Sequence, residues 1–342
     1  MVIVLGVEST AHTFGVGIVK NGKVIANKRD MYTTERGGII PMDSAKHHRE
    51  VCANIYLEAL KEAEISEIKI DAIAFSQGPG LPPCLIEGMK FAKNLSKKLG
   101  KPMVPVNHCV AHLEIGMCRS AYPKLQSKGV TGAKDPVLLY CSGANTQVIS
   151  YAAGKYRIFG ETLDMGVGNF IDNFARYANL GFPGGPKIEK FARDGKNYIE
   201  LPYSVKGMDV SFSGILTNLK QKLEKKEGSL EDLSFSMEET VFAMLLETAE
   251  RALAHLEKKE LLLGGGVACN SRLQDMAKRM CEERGAKSFC PEKSLLVDNG
   301  AMIAYLGEIM FKSGIEFSGK KAQDLDIKPR QRTDEVEVSW KN

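Results

Sequence analysis

The sequence lacks any close pairing of its cysteines. Its eight cysteines include no Cys-x-x-Cys pair and no dense cluster, so neither a disulfide framework nor a cysteine-based zinc site is indicated. Most of them stand in apolar or helical stretches, where a thiol behaves as a small buried hydrophobic group. We therefore interpret them as reduced and structural, including Cys109, which stands between two histidines.

Long hydrophobic runs are also missing. No apolar stretch approaches the roughly 20 residues that cross a bilayer. The N-terminal run Val2–Val7 is too short for a signal peptide and has no basic residues before it. Neither sign of charge dominates, since the formal net charge is only +4. These absences predict a soluble, cytoplasmic protein without a membrane partner.

One pattern occurs twice in the chain. Each copy contains an apolar run, a short polar turn, a second apolar run and a turn containing glycine, which predicts a three-stranded meander. A small polar first turn suits the binding of a phosphate. The segments are Val2–Val7, Glu8-Ser9-Thr10, Phe14–Val19 and Asn21-Gly22-Lys23 in the first copy, and Val137–Cys141, Ser142–Thr146, Val148–Ala153 and Gly154-Lys155 in the second.

The spacing of the copies predicts two similar lobes. It is far longer than the roughly 20–50 residues of stacked repeats, and 342 residues exceed the size at which one core stops growing. Helical patterns alternate with short apolar strands after each meander, which is typical of α/β proteins. We predict lobes at residues 1–130 and 131–342 with a cleft between them, and a polar, basic, partly ordered tail from about residue 316.

The sharpest chemical signal is His108-Cys109-Val110-Ala111-His112. Two histidines at positions i and i+4 share one helical face, so both imidazoles can bind a single ion. The alternative is two ordinary helix histidines. A metalloprotease would carry glutamate directly after the first histidine as general base, and Cys109 stands there instead.

Three further segments suggest a ligand site. The run Leu262–Asn270 is an apolar strand, three glycines and a helix start, which matches neither a dinucleotide fingerprint nor a phosphate-binding P-loop. The loop Gly181–Pro186 lies between Asp172 and Glu189, two carboxylates that suit ribose hydroxyls. Asp298 precedes Asn299 and Gly300 at the start of the last long helix, where it could be an ordinary N-cap.

These motifs together resemble the universal tRNA threonylcarbamoyladenosine transferase family, in its archaeal and eukaryotic branch, the large subunit of the KEOPS complex. The resemblance covers nearly the whole chain. The matching segments are Gly6–Thr13, Gln77–Leu81, Asn107–His112, Ser142–Thr146, Gly160–Asp164, Gly181–Pro186, Phe212–Gly214, Gly264–Asn270, Asp298–Met302 and Arg332–Val336. Two departures are Ala144 and Pro82, which stand where the family usually has glycine.

The resemblance implies the actin-like, sugar-kinase and Hsp70-type fold, with a nucleotide and metal cleft between the lobes. It implies metal ligation by His108, His112, Tyr140 and Asp298, which would act catalytically through the ion. It also implies adenylate contacts from Tyr140, Cys141, Ser142, Gly143, Ala144, Asp172, Gly185, Glu189 and Asn270.

The implied reaction moves a threonylcarbamoyl group from its adenylate to the exocyclic amine of the adenosine next to the tRNA anticodon. The mixed nitrogen and oxygen ligands admit iron or zinc, with iron slightly favoured; magnesium and ATP are further candidates for the cleft. No residue stands out as a general base. The alternative is an ATP-hydrolysing or kinase member of the same fold, with Glu8 as the candidate acid.

The implied partners are tRNA and other KEOPS subunits, including a small kinase-like protein and a small dimerising subunit. A separate enzyme would supply threonylcarbamoyl-adenylate. Lysines and arginines are grouped in the tail at Lys328, Arg330 and Arg332, but this charge is too small for tight, selective binding of tRNA by the chain alone.

Overall fold

Two five-stranded mixed sheets repeat one topology in the computed structural model, which describes residues 1–34, 38–121 and 132–341. The first sheet is formed by β1 (Ile3–Glu8), β2 (Thr13–Lys20), β3 (Lys23–Met31), β4 (Ala72–Gly78) and β5 (Met103–Asn107), in the order β3-β2-β1-β4-β5. The other strands are β6 (Val137–Cys141), β7 (Thr146–Ala152), β8 (Lys155–Glu161), β9 (Val205–Lys206), β10 (Asp209–Val210), β11 (Glu260–Gly264) and β12 (Lys287–Phe289).

The second sheet has the order β12-β11-β6-β7-β8, and β9 and β10 form a separate short hairpin. In each sheet the first three strands form an antiparallel meander, and two parallel strands extend the opposite edge. Both predicted meanders are therefore confirmed.

Helices cover the outer faces of both sheets and fill the space between the sheets. They are α1 (Pro41–Ala63), α2 (Pro82–Leu99), α3 (His108–Met117), α4 (Val167–Tyr177), α5 (Gly185–Asp194), α6 (Ser213–Glu224), α7 (Leu230–His255), α8 (Ser271–Glu283), α9 (Lys293–Leu296), α10 (Gly300–Lys312) and α11 (Gly319–Asp324). Residues of α1 and α2 share one core with the first sheet, α4, α6, α7 and α8 share another with the second, and α3 and α10 share the core between the sheets. A strand covered on both faces must be apolar throughout, and every residue of β1 is buried.

Helix α10 lies directly on the first sheet, although it comes late in the chain. A Cβ atom added to Gly17 would lie 2.1 Å from the backbone nitrogen of Ala301, and one added to Gly6 would lie 2.2 Å from that of Ala304. Only glycine permits this approach of helix backbone to strand backbone. The segment that begins at Asp298 is thereby fixed to the first sheet.

The C-terminal tail is packed rather than loose, contrary to the sequence expectation. Phe317 pairs with Met103 through two backbone hydrogen bonds of 2.8 and 2.9 Å. The backbone nitrogen of Lys328 donates to the carbonyl of Gln77 (2.7 Å), and Lys341 pairs with the buried Glu114 (2.7 Å). Apolar tail residues, including Val336 and Trp340, pack on the core between the sheets. These contacts order the tail although most of its residues are polar.

The predicted boundary between residues 130 and 131 lies outside the described residues and stays a prediction. Helix α7 begins at Leu230 because Ser229 caps it: the hydroxyl oxygen of Ser229 accepts a hydrogen bond from the nitrogen of Asp232 (3.0 Å). Among the described residues, no helix is long and apolar enough to cross a membrane.

Candidate metal and ligand site

The two histidines of the HxxxH pair lie at the start of α3. The helix begins directly after β5 and is capped by Asn107, whose side-chain oxygen accepts a hydrogen bond from the nitrogen of Val110 (3.1 Å). His108 and His112 are both buried, and their ring centroids are 4.8 Å apart. The predicted shared face of the pair is therefore present in the fold.

Asp298 completes a convergent set of ligand atoms with the two histidines. Its Oδ1 lies 3.3 Å from Nε2 of His112 and 3.4 Å from Nε2 of His108. One ligand atom from each of the three residues lies within 4.8 Å of the others. Asp298 is not the N-cap of α10, as the sequence suggested; Asn299 is, because its side-chain oxygen accepts from the nitrogen of Met302 (3.0 Å). The carboxylate of Asp298 is thus left to face the histidines.

Tyr140 approaches the same atoms from the second sheet. It lies near the end of β6, is fully buried, and its hydroxyl lies 3.0 Å from Nε2 of His108. We call His108, His112, Tyr140 and Asp298 the His–Tyr–Asp group. The structure brings together all four residues for which the family resemblance implies metal ligation.

Glu8 supports this group from behind. It is fully buried at the end of β1, and its Oε2 accepts a hydrogen bond from Nδ1 of His108 (3.0 Å). Its Oε1 accepts from both the nitrogen (2.7 Å) and the hydroxyl (2.5 Å) of Thr10. A carboxylate bonded to the far nitrogen of a histidine fixes the ring and directs the other nitrogen at a ligand.

The electrostatics of the group favour a cation. Burial alone would lower the pKa of His108, but the charges of Glu8 and Asp298 outweigh it and raise that pKa well above its usual value. Burial would raise the pKa of Asp298, but the charge of His108 and hydrogen bonds from both imidazoles hold it well below 3.8. Burial lowers the pKa of His112, leaving a neutral imidazole. A bound ion would therefore replace the proton on His108.

The donor set fits a metal ion. Two imidazoles and a carboxylate are common ligands of zinc and of non-haem iron. Burial raises the pKa of Tyr140 well above 10, so its phenol becomes a phenolate ligand only when a cation offsets the charge.

A cavity of about 680 Å³ lies beside the group and between the two sheets. Predicted ligand residues that line it are His108, Tyr140, Ser142, Gly143, Ala144, Asp172 and Asp298. The turn Ser142–Asn145 is held by backbone bonds from the nitrogens of Gly168 to the carbonyl of Ser142 and of Asn169 to that of Gly143, both 3.0 Å. A Cβ on Gly168 would lie 2.8 Å from Cα of Gly143, so glycine is required for this contact.

Five predicted residues are not among those that line the cavity: His112, Cys141, Gly185, Glu189 and Asn270. The Cys141 side chain is fully buried in the core of the second sheet, and burial raises the pKa of its thiol. Glu189 accepts hydrogen bonds from the nitrogen and hydroxyl of Ser271, at 3.1 and 2.6 Å. This places Glu189 beside Asn270 in a second cluster at the start of α8.

Sequence reasoning missed Glu238 in this second cluster. Asn270 caps α8 through its side-chain oxygen and donates from Nδ2 to Oε1 of Glu238 (2.6 Å). Burial raises the pKa of Glu238 to about 7. The sequence signal was weak, because a second charged residue, Glu239, stands directly beside Glu238 in α7.

The role of Glu8 was also missed, since the sequence offered it only as a candidate acid of a kinase or ATPase. The signal was its place in the polar turn after a fully apolar strand. His12 and Arg176, which also line the cavity, were not singled out.

Comparison with known proteins agrees with the sequence-based interpretation. The family model described as "TsaD: tRNA N6-adenosine threonylcarbamoyltransferase" matches residues 22–305. A protein of Thermococcus sibiricus described as "tRNA N6-adenosine threonylcarbamoyltransferase" is 51% identical over 338 residues, which are 99% of this chain and 100% of that protein.

Two solved structures share the fold. The crystal structure of T. kodakarensis HypF has a TM-score of 0.61 and 16% identity, over 92% of this chain and 48% of that chain. The activator of the 2-hydroxyisocaproyl-CoA dehydratase from Clostridium difficile with bound ADPNP has a TM-score of 0.50 and 10% identity, over 93% of this chain and 99% of that one. The predicted α/β class with two related lobes is confirmed. By its match over nearly the full length, the chain belongs to the tRNA N6-adenosine threonylcarbamoyltransferase family.

Proposed function

We propose that the chain transfers a threonylcarbamoyl group from threonylcarbamoyl-adenylate to the exocyclic amine of the adenosine next to the anticodon of tRNA. As a member of its family, the chain is a tRNA N6-adenosine threonylcarbamoyltransferase. The observation that carries the detailed proposal is the convergence of the His–Tyr–Asp group on a cavity between the lobes.

The reaction balances without a further reactant. The N6 lone pair attacks the carbamoyl carbon, the bond from that carbon to the phosphate oxygen breaks, AMP leaves, and the amine loses one proton. Because AMP is a good leaving group, the protein has mainly to position both reactants and stabilise developing negative charge.

We propose that His108, His112, Tyr140 and Asp298 hold one metal ion, iron or zinc, with iron slightly favoured for its oxygen-rich ligands. When bound, such an ion supplies a Lewis acid or an anchor for the threonyl moiety. Glu8 keeps the Nδ1 proton of His108 in place, so that Nε2 of His108 is directed at Tyr140 and Asp298.

The adenylate would lie along the second lobe. We propose contacts from Tyr140 to Ala144, Asp172, Gly185, Glu189 and Asn270, as the family resemblance implies. In support, Asp172 faces the cavity, and its Oδ1 accepts from the nitrogen of Gly184 (2.7 Å) beside Gly185. A Cβ added to Gly185 would meet no atom within 4 Å, so the space beside it is open.

The kinase or ATPase alternative is disfavoured by the contacts of Glu8. That reading needs a carboxylate free to activate water or a hydroxyl. Both oxygens of Glu8 instead accept hydrogen bonds from Thr10 and His108. The metalloprotease alternative is disfavoured because the chain lacks the general base of that mechanism. Cys109 follows His108 where glutamate would be needed, and the nearby Glu114 pairs with Lys341.

We further propose that tRNA binding depends on other KEOPS subunits, among them a small kinase-like protein and a small dimerising subunit, in the cytoplasm where tRNA is modified. The net charge of only +4 supports this, because affinity for RNA grows with the number of phosphates neutralised. A separate enzyme would supply the adenylate.

One assay tests the function. The chain is incubated with its partner subunits, tRNA and threonylcarbamoyl-adenylate. The tRNA is then digested to nucleosides, which are separated and identified by mass spectrometry. We expect threonylcarbamoyladenosine and AMP in equal amounts. Hydrolysis of ATP or phosphorylation of a substrate without the modified nucleoside would instead favour the kinase alternative.

A further inference from the structure

The cavity has two unlike walls. The wall from the second lobe is polar and includes Ser142, Asn145, Asn169 and Asp172. The first lobe contributes the polar Thr10 and His12, and the first lobe and the tail together contribute six apolar side chains larger than alanine: Ile39, Ile40, Pro41, Pro79, Leu81 and Pro329. We call these six residues the apolar wall.

Several backbone contacts fix the apolar wall in place. The nitrogen of Leu81 donates to the carbonyl of Thr10 (2.7 Å), and the nitrogen of Gly80 donates to the carbonyl of Pro329 (3.1 Å). A Cβ on Gly80 would lie 2.6 Å from the oxygen of Thr10. The turn that carries Pro79 and Leu81 is thus held between the tail and the residues that bond Glu8.

Ile40 and Pro41 are the exposed members of this wall. Ile40 is 52% exposed, although burial of a side chain of this size is favourable. A single exposed isoleucine is ordinary, but Ile40 and Pro41 adjoin the other apolar side chains that line the cavity. Contiguous apolar surface of this kind is typical of a site that contacts a ligand.

The transfer reaction needs two ligands in the cavity at once. The phosphate and ribose of an adenylate match the polar wall. The second ligand is a nucleobase that must leave its stack to react, and enzymes hold such bases between apolar or aromatic side chains. The flat face of a base matches the apolar wall.

Positive charge lies beside the wall. Lys328 and Arg330 flank Pro329, both are exposed, and neither forms an ion pair with any part of the chain that the structure describes. Arg332, in contrast, pairs with Glu161 and Asp334 at 3.1 Å each. Free cations next to an apolar surface suit a ligand that joins a base to a phosphate backbone.

We propose that the apolar wall is the subsite for the acceptor base, an adenine of RNA swung out of its stack. This inference rests on the proposed function. The base lies with one face on Ile40, Pro41 and Leu81, its N6 amine faces the His–Tyr–Asp group, and Lys328 and Arg330 contact the adjoining phosphates.

The variant Ile40→Gln tests the subsite, with Met42→Gln as its matched control. Met42 is also exposed (67%) and lies two residues further along, but it does not line the cavity. In the reconstituted reaction we expect Ile40→Gln to raise KM for tRNA about tenfold, the scale on which one base contact acts. Met42→Gln should leave KM for tRNA unchanged, and calorimetry should give the wild-type Kd for AMP with both variants.

A second readout does not depend on the chemistry. An anticodon stem–loop RNA carrying 2-aminopurine at the acceptor position should gain fluorescence with the wild type, because the base unstacks, and with Met42→Gln. The gain should be lost with Ile40→Gln. If the wild type gives this gain but forms no modified nucleoside, the proposed function fails while the subsite stands.

Other results would overturn the subsite. Weaker AMP binding by Ile40→Gln, with unchanged KM for tRNA, would show that the wall holds the adenine of the acyl donor. Equal effects of both substitutions, or no effect of either, would show that the wall holds no base.

Discussion

The first turn of each meander has the same place and length but opposite surroundings. Residues 9–12 join β1 to β2, and residues 142–145 join β6 to β7. Ser9 and Thr10 are buried, with Glu8 before them, whereas Gly143 and Ala144 are exposed to the cavity. We call them the buried turn and the open turn.

Different neighbours produce this difference. Helix α2 covers the buried turn so closely that a Cβ on Gly88 would lie 1.9 Å from Oγ of Ser9. The open turn is instead supported from below by Gly166 and Gly168 at the start of α4. Both turns line part of the cavity, but the buried turn also contacts a proposed metal ligand, since Oγ1 of Thr10 lies 3.3 Å from Nδ1 of His108.

Removing one of the two proposed histidine ligands of the metal, which lie beside the buried turn, should have the largest effect. We expect His112→Ala or His108→Ala to remove most of the bound metal, measured by mass spectrometry of the purified protein, and the activity with it. His255→Ala, at an exposed histidine at the end of α7, is the control. Stoichiometric metal retained in the double variant would contradict the assignment.

Removing the charge of Glu8, which directly precedes the buried turn, should have the next largest effect. Glu8→Gln removes the charge that orients His108 and should lower metal affinity about 10–100-fold, as for other carboxylates that bond a ligand histidine. Ala144→Gly alters the open turn and should leave metal affinity unchanged. Equal losses in a competitive chelator titration would show that the two turns do not differ in role.

Substitutions near the open turn should weaken nucleotide binding rather than metal binding. We expect Asp172→Ala to weaken adenylate binding by about 1.5–3 kcal/mol, the scale of a hydrogen bond to a charged group. Glu189→Ala should weaken it too, although Glu189 does not line the cavity. Calorimetry with an adenylate analogue, and Glu200→Ala as an exposed control, tests this; unchanged affinity in both variants would place the ribose elsewhere.

A buried carboxyl in the second cluster should make stability depend on pH. The pKa of Glu238 is raised by burial to about 7 from 4.5, so the folded protein holds this proton more tightly than the unfolded chain. The resulting stabilisation is full below pH 4.5 and is lost as pH rises through 7. Glu238→Gln should therefore gain Tm relative to the wild type between pH 5 and 8, by a few °C; parallel curves of Tm against pH would exclude the effect.

The tail should give the smallest effect. Neutralising Lys328 and Arg330 together should reduce the magnitude of the log–log salt slope of tRNA binding by up to about 2, at roughly 0.7–0.9 per phosphate contact. Arg332→Gln should change it little, because Arg332 is already paired with Glu161. Tight binding by the isolated chain that is insensitive to salt would show that RNA binds elsewhere.

Local patterns accounted for much of the fold. The meanders, the two-lobed α/β class and the shared face of His108 and His112 follow from periodicity and turn residues, which act within short stretches. The ambiguous case was Asp298-Asn299, because both residues are good N-caps. Only the fold shows that Asn299 caps α10 and Asp298 is left for the site.

Long-range contacts between polar groups were beyond sequence reasoning. Glu8 and His108 are 100 positions apart, and Glu238 reaches Asn270 from a different helix. Such pairs depend on how elements pack, and no spacing rule encodes them. The tail was misjudged for the same reason, since its few apolar residues matter only once the core between the sheets exists.

The close packing of α10 on the first sheet attaches Asp298 to the same sheet as His108 and His112. His108 and His112 follow β5 of the first sheet, and Asp298 directly precedes the helix whose backbone contacts Gly6 and Gly17. Tyr140 alone belongs to a strand of the second sheet. If the lobes were to rotate apart, the proposed ligands His108, His112 and Asp298 would stay together and could still hold an ion, while the phenol of Tyr140 would withdraw. If the cleft opens to admit RNA or to release AMP, a bound ion would lose only Tyr140 and would keep the other three residues.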